Sequence, residues 1–537
     1  MRMEALGDSA VVFSLGDEAD RIVARRVRAV ADRLRSNPPP GVQDVLPAFG
    51  KIALFFEPGM PPLPAEALVA VLEGVATAPA AVARPRVVEI PVIYGGESGP
   101  DLPEVAAAAG LTPAAAAELH AGAEYFVRAI GFAPGFPYLG GLPPVLARPR
   151  RPTPRVRVPS GSVGIGGAQT GIYPQASPGG WNLIGRSPWR LFDVRETPPA
   201  RLAVGDEVRF QPVAEGDFPT TADTPVKVDG PGMVVRRPGT LTTVQDLGRT
   251  GWRASGVSPA GAADPFSLRM ANLLVGNAEG EAALELTQTG PELEFTTGVL
   301  VAVTGAPIDG FPWGRPVYLP PGARLSLGAT TRGLRSYLAC AGGFGLPCVL
   351  GGAGTDLRAG FGGFSGRALR AGDWLPLRNT EADRAPVRWS LDPRLRPLVQ
   401  SEIELRVLAG SDAAALPGWA ERAFTVGTRS DRMGLRLEGE AFPRPPPGNL
   451  DSVPVIPGTV QVPPDGRPIV LLADAQTLGG YACLGHVISA DLPRLGQLRP
   501  GDKLRFRAVE LGEARALLAL QERRLRELRL GLESRRC

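Results

Sequence analysis

The segments LAVGDEVRF (202–210), LRAGDWLPL (369–377) and LRPGDKLRF (498–506) share one pattern. Each holds a leucine, two further residues, a Gly-Asp pair and then alternating apolar positions. Alternation at period two marks a strand with one buried face, and Gly-Asp supplies a turn to feed it. One such hairpin is commonplace, but three in a chain of 537 residues describe related β units that end alike. Two of the three share more. VPSGSVGIGG (158–167) and GGW (179–181) precede the first, while VIPGTVQVPP (455–464) and GGY (479–481) precede the third. The 68 glycines and 57 prolines fall among short apolar runs rather than in one tract. The expected fold is therefore mainly β, as antiparallel sandwiches or barrels, and not low-complexity disorder.

Only the first segment reads differently. In residues 1–85, VVFSL (11–15) and KIALFFEP (51–58) read as strands, and 17–36 and 64–77 as helices. This β-α-β-α order predicts a small α+β, ferredoxin-like domain. An Ala-rich stretch predicts one helix over 103–122. The polar, Pro-containing stretch 215–228 reads as a linker, and the Arg-rich amphipathic 511–537 as a helix packed on a neighbouring domain. The expected units are 1–85, a β unit over 86–214, and two more over 229–380 and 381–510.

Composition removes several functions. A net charge of +4 gives no case for nucleic-acid binding. No apolar run reaches the roughly 18–20 residues of a membrane span, and the N-terminus has no signal-peptide layout, so the expected location is cytoplasmic. Cys340, Cys348, Cys483 and Cys537 show no CxxC spacing, and His120 and His486 are the only histidines, so no zinc site is expected. Lysine occurs only at 51, 227 and 503, which limits Schiff-base or phosphate-anchoring chemistry.

Three stretches concentrate polar residues among glycines. PSGSVGIGGAQTGIYP (159–174) is either a tight hairpin connection or an anion cradle of backbone N–H groups. It matches neither the P-loop nor the dinucleotide fingerprint. In 243–277, Gln245, Asp246 and Arg249 share a turn-like stretch; Asp246 beside Arg249 reads as a local ion pair and Asp264 as a helix N-cap. In 430–502, Asp474, Gln476, Thr477, His486 and Asp491 fall among short strands and loops, with Arg432 or Arg436 able to hold a carboxylate in bidentate fashion and His486 read as a structural histidine. Finally, GFAPGFPYLGG (131–141) packs aromatics, prolines and glycines more densely than a simple turn requires, and Phe132, Pro134, Phe136 and Tyr138 are expected to wall a cleft.

At these stretches the sequence resembles a known family. Residues 131–193, from GFAPGFPYLGG through SPGGWNLIGR to LFD, resemble the 5-oxoprolinase B subunit, the allophanate hydrolase subunit 1 type that includes the kinase inhibitor KipI. From 226 onward TVQDLGRTGW, GAADPFSLRMANLLVGN, SDRMGLRLEG and ISADLPRLGQLRPGD resemble the partner type, the 5-oxoprolinase C subunit or KipA. Together they are similar to the carboxyltransferase region of urea carboxylase. The resemblance implies cyclophilin-like barrels, one in the B part and two in the C part. It also implies ATP-dependent opening of 5-oxo-L-proline to L-glutamate, with Mg²⁺ and a separate A subunit. On this reading Asp246, Arg249, Asp474 and Arg432 are the catalytic candidates. Substrate or nucleotide would meet Phe132, Pro134, Phe136, Tyr138, Ser160, Gly161, Gln169, Thr170, Gly179, Gly180 and Trp181 in the B part. In the C part it would meet Gln245, Asp431, Gln476, Thr477 and Tyr481. The same family leaves two alternatives, a histidine-kinase inhibitor fused to its antagonist and a biotin-dependent carboxyltransferase component. A homo-oligomer is compatible with either. One segment departs from the family pattern: GGAGTDL (351–357) stands where Gly-Ser-Arg-Ser-Thr-Asp-Leu is expected.

Overall fold

In the three Gly-Asp hairpins the same turn recurs. Gly205, Gly372 and Gly501 have φ of 83°, 90° and 93°, which puts them in the left-handed region that glycine tolerates. The aspartate that follows then closes the turn with its carboxylate. Asp206 accepts from the backbone N–H of Ala203 at 2.8 Å, Asp373 from Arg370 at 2.7 Å and Asp502 from Arg499 at 2.8 Å. The computed structural model that shows this describes residues 3–17, 20–59, 65–77, 85–218, 230–378, 390–395, 402–443 and 452–534.

Two of these turns complete closed seven-stranded barrels of identical topology. In the first barrel the final strand Glu207–Pro212 lies parallel to the opening strand Val87–Tyr94, with Glu207 opposite Val87. The other strands follow around the ring, and Pro137–Gly140 closes onto Tyr125–Ile130. In the second barrel Lys503–Ala508 lies parallel to Glu402–Ala409, with Lys503 opposite Glu402, and the ring closes through Gly434–Glu438 and Ala423–Val426. The repeat read from the sequence is thus a repeat of strand order. The intervening unit is built from sheets of four and five strands, packed around Met233, Val244, Leu286, Phe295, Val301 and Leu338. Its Gly-Asp hairpin feeds Trp374–Pro376, which pairs antiparallel with Gly232–Arg237.

The N-terminal domain has the order β-β-α-β-β-α rather than β-α-β-α, because Met3–Leu6 and Val42–Ala48 are also strands. Its sheet runs on into the first barrel, where Ala48 meets Ala129. The Ala-rich stretch forms two helices, Leu102–Ala108 and Pro113–Ala121, not one. Gly110 at φ 68° ends the first, and Thr112, whose hydroxyl accepts from the Ala115 N–H, caps the second. Asp264 is an N-cap as expected, accepting from Ser267 at 2.9 Å to start the helix Pro265–Val275. The C-terminal helix Leu511–Glu533 packs on that helix. Leu525 and Leu532 join Met270 and Leu274 in one core, and Glu522 holds Arg269. Most of the expected linker, 219–228, lies outside the described residues. Among the described residues no helix is long and apolar enough to cross a membrane.

Candidate functional site

The loop 131–141, denser than a simple turn requires, is clasped by the segment around Ser255. The Gly135 N–H of GFAPGFPYLGG donates to the Ser255 carbonyl at 2.8 Å. Gly256, at φ 76°, backs so closely onto this loop that a Cβ there would lie 2.7 Å from the Ala133 carbonyl oxygen. The segment around Ser255 continues to touch every other unit. Upstream, Asp44 of the N-terminal domain accepts from the N–H groups of Gly251 and Arg253, and the Arg253 guanidinium lies 4.1 Å from the centre of the Phe55 ring. Downstream, Ser258 donates to the Ala473 carbonyl of the second barrel at 3.1 Å. Gly256→Ala is expected to cost about 1–2 kcal/mol from the left-handed backbone alone, before the clash, measured by urea denaturation of the whole chain.

Phe132, Phe136, Tyr138 and Trp181 do converge, as the sequence implied, but in a junction rather than along an open cleft wall. With Tyr173 they form edge-on ring pairs 5.0–6.3 Å apart. The same apolar cluster takes in Phe49 of the N-terminal domain and Ile456 and Leu478 of the second barrel. This burial explains Gly164 and Gly166 of VPSGSVGIGG. The strands Ser162–Gly166 and Gln169–Ile172 form a hairpin, and the Trp181 side chain lies flat on it. A Cβ on Gly166 would sit 2.6 Å from the indole, and one on Gly171 would sit 3.0 Å away. The stretch does form a hairpin, and two of its glycines make room for an aromatic ring.

Charged groups fill the adjoining part of the junction. Arg432 is buried and grips Asp474 in bidentate fashion at 2.8 and 2.9 Å. It also pairs with Glu285 and donates to the Gly261 carbonyl at 2.6 Å. Glu285 accepts further from the Ala263 N–H and the Tyr337 hydroxyl. Burial raises the Asp474 carboxyl to about 6 against the opposing pull of Arg432. Asp246 does not pair with Arg249; its oxygens accept from the Gly248 and Ala353 N–H groups at 2.8 and 2.6 Å. Arg249 is 2 % exposed, donates to the Gly354 carbonyl and faces the Phe361 ring. Among the described residues its Nε and Nη1 find no partner, nor does Gln245 Oε1 nearby. Burial lowers the Arg249 pKa, opposed by Asp356, Asp246 and Asp474. Arg358 lies 4.6 Å over the Phe132 ring and so joins the charged and aromatic halves of the junction.

The remaining sequence candidates are scattered. Pro134 is buried in the clasp, while Gly161 and Thr170 are sealed in the first barrel; Thr170 bonds the Gly164 carbonyl and His120. Ser160 is tied to the Pro174 carbonyl, and Gly179 lies against the Tyr173 ring. Gln169 and Gly180 are part-exposed, and Asp431 and Tyr481 are exposed. Thr477 is buried with no partner for its hydroxyl among the described residues, and Gln476 is half-buried beside it. Glu285, Asp356 and Arg358 were not expected from the sequence; the only trace of Glu285 was an acid inside the apolar alternation ALELT.

These halves have separate counterparts. The family model described as carboxyltransferase domain, subdomain C and D, matches residues 1–202, and that for subdomain A and B matches 255–508. The 5-oxoprolinase B subunit of Bacillus subtilis is 41% identical over 40% of this chain and 95% of its own length. The 5-oxoprolinase C subunit of Escherichia coli is 40% identical over 55% of this chain and 97% of its own. The chain belongs to the family of fused 5-oxoprolinase B and C subunits. The crystal structure of TTHA0988 is similar to this fusion throughout, with 38% identity, a TM-score of 0.81 and coverage of 93% and 99% of the two chains. Urea amidolyase of Saccharomyces cerevisiae is 32% identical over 54% of this chain but only 17% of its own length.

At the carboxylates named from the sequence the fused B–C chain assembles no cluster of metal ligands among the described residues. Both oxygens of Asp246 and of Asp474 already accept hydrogen bonds, and among the described residues no group of three or more His, Cys, Asp or Glu is placed to hold a metal ion. The 159–174 hairpin is likewise occupied by Trp181. The departure at GGAGTDL has a local counterpart, because a Cβ on Gly354 would lie 2.6 Å from Asp246 Oδ1. A serine there requires Asp246 to shift, so this B–C fusion seats its aspartate closer to the 351–357 segment than a serine would allow.

Proposed function

We propose that this chain supplies the B and C functions of an ATP-dependent 5-oxoprolinase, which opens the lactam of 5-oxo-L-proline to L-glutamate together with a separate A subunit. One observation carries the reading. A single polypeptide joins near full-length counterparts of two named 5-oxoprolinase subunits, and the characteristic segments of both halves meet in one buried junction. An unstrained lactam is a poor electrophile, so ATP serves as the activating co-substrate. Its place is not assigned to Asp246, Asp474 or 159–174, whose polar groups are taken. The chain's own part at the junction is to hold its units in fixed register, as Arg432 does between Glu285 and Asp474.

The test mixes the purified chain with an A subunit, ATP and 5-oxoproline. Glutamate is the expected product. No glutamate together with no oxoproline-dependent ATP turnover overturns the reading. A second reading, carboxyl transfer from a carboxybiotin carrier to urea or a related amide, draws on the carboxyltransferase family and on the likeness to urea amidolyase. Consumption of carboxybiotin in the presence of urea would favour it.

A further inference from the structure

Between the N-terminal sheet and the second barrel lies a cavity of about 600 Å³. Its floor is the outer face of the barrel. Val460, Val462 and Leu484 point into the barrel core, so Thr459 and Gln461, alternating with them, point outward. Outward polar residues of a barrel ordinarily meet water. Here the N-terminal domain covers them, leaving Thr459 0 %, Gln461 2 % and His486 5 % exposed. Thr459 Oγ1 lies 3.1 Å from His486 Nδ1, and burial pushes the His486 imidazole down to about 4, so it is neutral at pH 7. Gln461 lines the cavity, and its Nε2 has no hydrogen-bond partner among the described residues. A buried amide nitrogen left so destabilises the folded state, and a bound acceptor would recover that loss.

The other barrel shows what this face looks like when it is filled. The repeat aligns PSGSVGI with IPGTVQV, which places Gly164 where the second barrel has Gln461. In the first barrel that glycine admits Trp181, which covers the face. In the second, Gln461 takes the place of the glycine, and Tyr481, the counterpart of Trp181, turns 40 % of its surface to solvent. Of the positions equivalent to those around the indole, Gln461 is the one that borders the cavity. Its lining is chiefly neutral, with Ser14, Ser411, Thr459, Gln461 and His486, while Glu4 and Lys51 bring one charge of each sign. Such a lining suits an amide bearing at most one charged substituent, with Lys51 as the cation of the lining, rather than a polyphosphate.

We propose that this cavity binds a cyclic amide, with the Gln461 carboxamide pairing with the amide edge. A lactam holds its N–H and C=O on one edge. Gln461 Oε1 accepts from that N–H and Nε2 donates to that oxygen, which supplies the missing partner. On the reading of function above, which this proposal deepens, the ligand is the lactam ring of 5-oxoproline.

The experiment is calorimetric titration of the intact chain, without A subunit or ATP, with 5-oxo-L-proline and with L-proline, which lacks the ring carbonyl. Saturable binding of 5-oxoproline but not of proline is expected. Gln461→Met, with its melting temperature checked against the unaltered chain, is expected to weaken binding by about tenfold or more. Equal binding of both ligands, no binding of 5-oxoproline, or an unchanged affinity in Gln461→Met overturns the assignment. The glutamate assay fails or succeeds separately. Glutamate formed by a chain that does not bind the lactam alone removes the cavity and leaves the function. Lactam binding through Gln461 without glutamate leaves the cavity and removes the function.

Discussion

Replacing Arg432 with methionine is expected to cost about 3–5 kcal/mol of stability, because it takes the bidentate partner from buried Asp474 and leaves Glu285 with Arg335 as its remaining guanidinium. Asp474 and Glu285 are 3 % and 1 % exposed at their side chains, and Arg432 bridges them across the boundary between the middle unit and the second barrel. Urea denaturation of the full chain measures the loss. The pH dependence identifies the cause. Burial already raises the folded Asp474 carboxyl to about 6, above its ordinary value, so the folded state holds that proton more tightly than the unfolded one. Its contribution therefore grows as pH falls through 6 and is complete below the unfolded value. Without Arg432 the carboxyl climbs further, so the deficit of Arg432→Met is expected to be smaller at pH 5 than at pH 8. A deficit that is independent of pH, or a variant as stable as the parent, refutes the account.

Trp181→Ala is the second large effect, with a cost of about 3–5 kcal/mol for emptying an aromatic site in a packed core. The indole is 5 % exposed and belongs to a cluster drawn from three units. The loss is expected to be felt beyond the first barrel. Backbone amides of 131–138 should exchange hydrogen faster in the variant, since the Gly135 N–H to Ser255 bond rests on that cluster. Protection unchanged at 131–138 would show that the clasp stands without the indole.

The β architecture was readable because its cues are local. A Gly-Asp turn with a left-handed glycine and a carboxylate three residues beyond its N–H partner is written in five adjacent residues, and so is the alternation after it. The strand Val42–Ala48 was missed because Asp44 and Pro47 read as loop residues. Asp44 is in a strand because its carboxylate is used by Gly251 and Arg253, far along the chain. The site was legible to a similar degree. The density of Phe132, Phe136, Tyr138 and Trp181 signalled a built feature, yet the choice between cleft and junction depends on Ser255 and Leu478, which no local pattern connects to them. Arg432 and Asp474 were each picked out as candidates, but not as partners of one another. Glu285, which completes their network, sits in a strand whose alternation would place it on any surface.

The parallel seam of each closed barrel has a consequence for how the chain is made. The strand that begins at Val87 gains its parallel neighbour only when Glu207–Pro212 has been synthesised, and Glu402–Ala409 waits in the same way for Lys503–Ala508. Pairings so distant in sequence make for slow folding and leave strand edges open in the meantime. The N-terminal domain waits longest, since Asp8 receives its hydrogen bonds from Ser489, hundreds of residues further along the polypeptide. Residues that leave the ribosome early are thus among the last to reach their final surroundings, and the cavity beneath them forms only when the second barrel has closed.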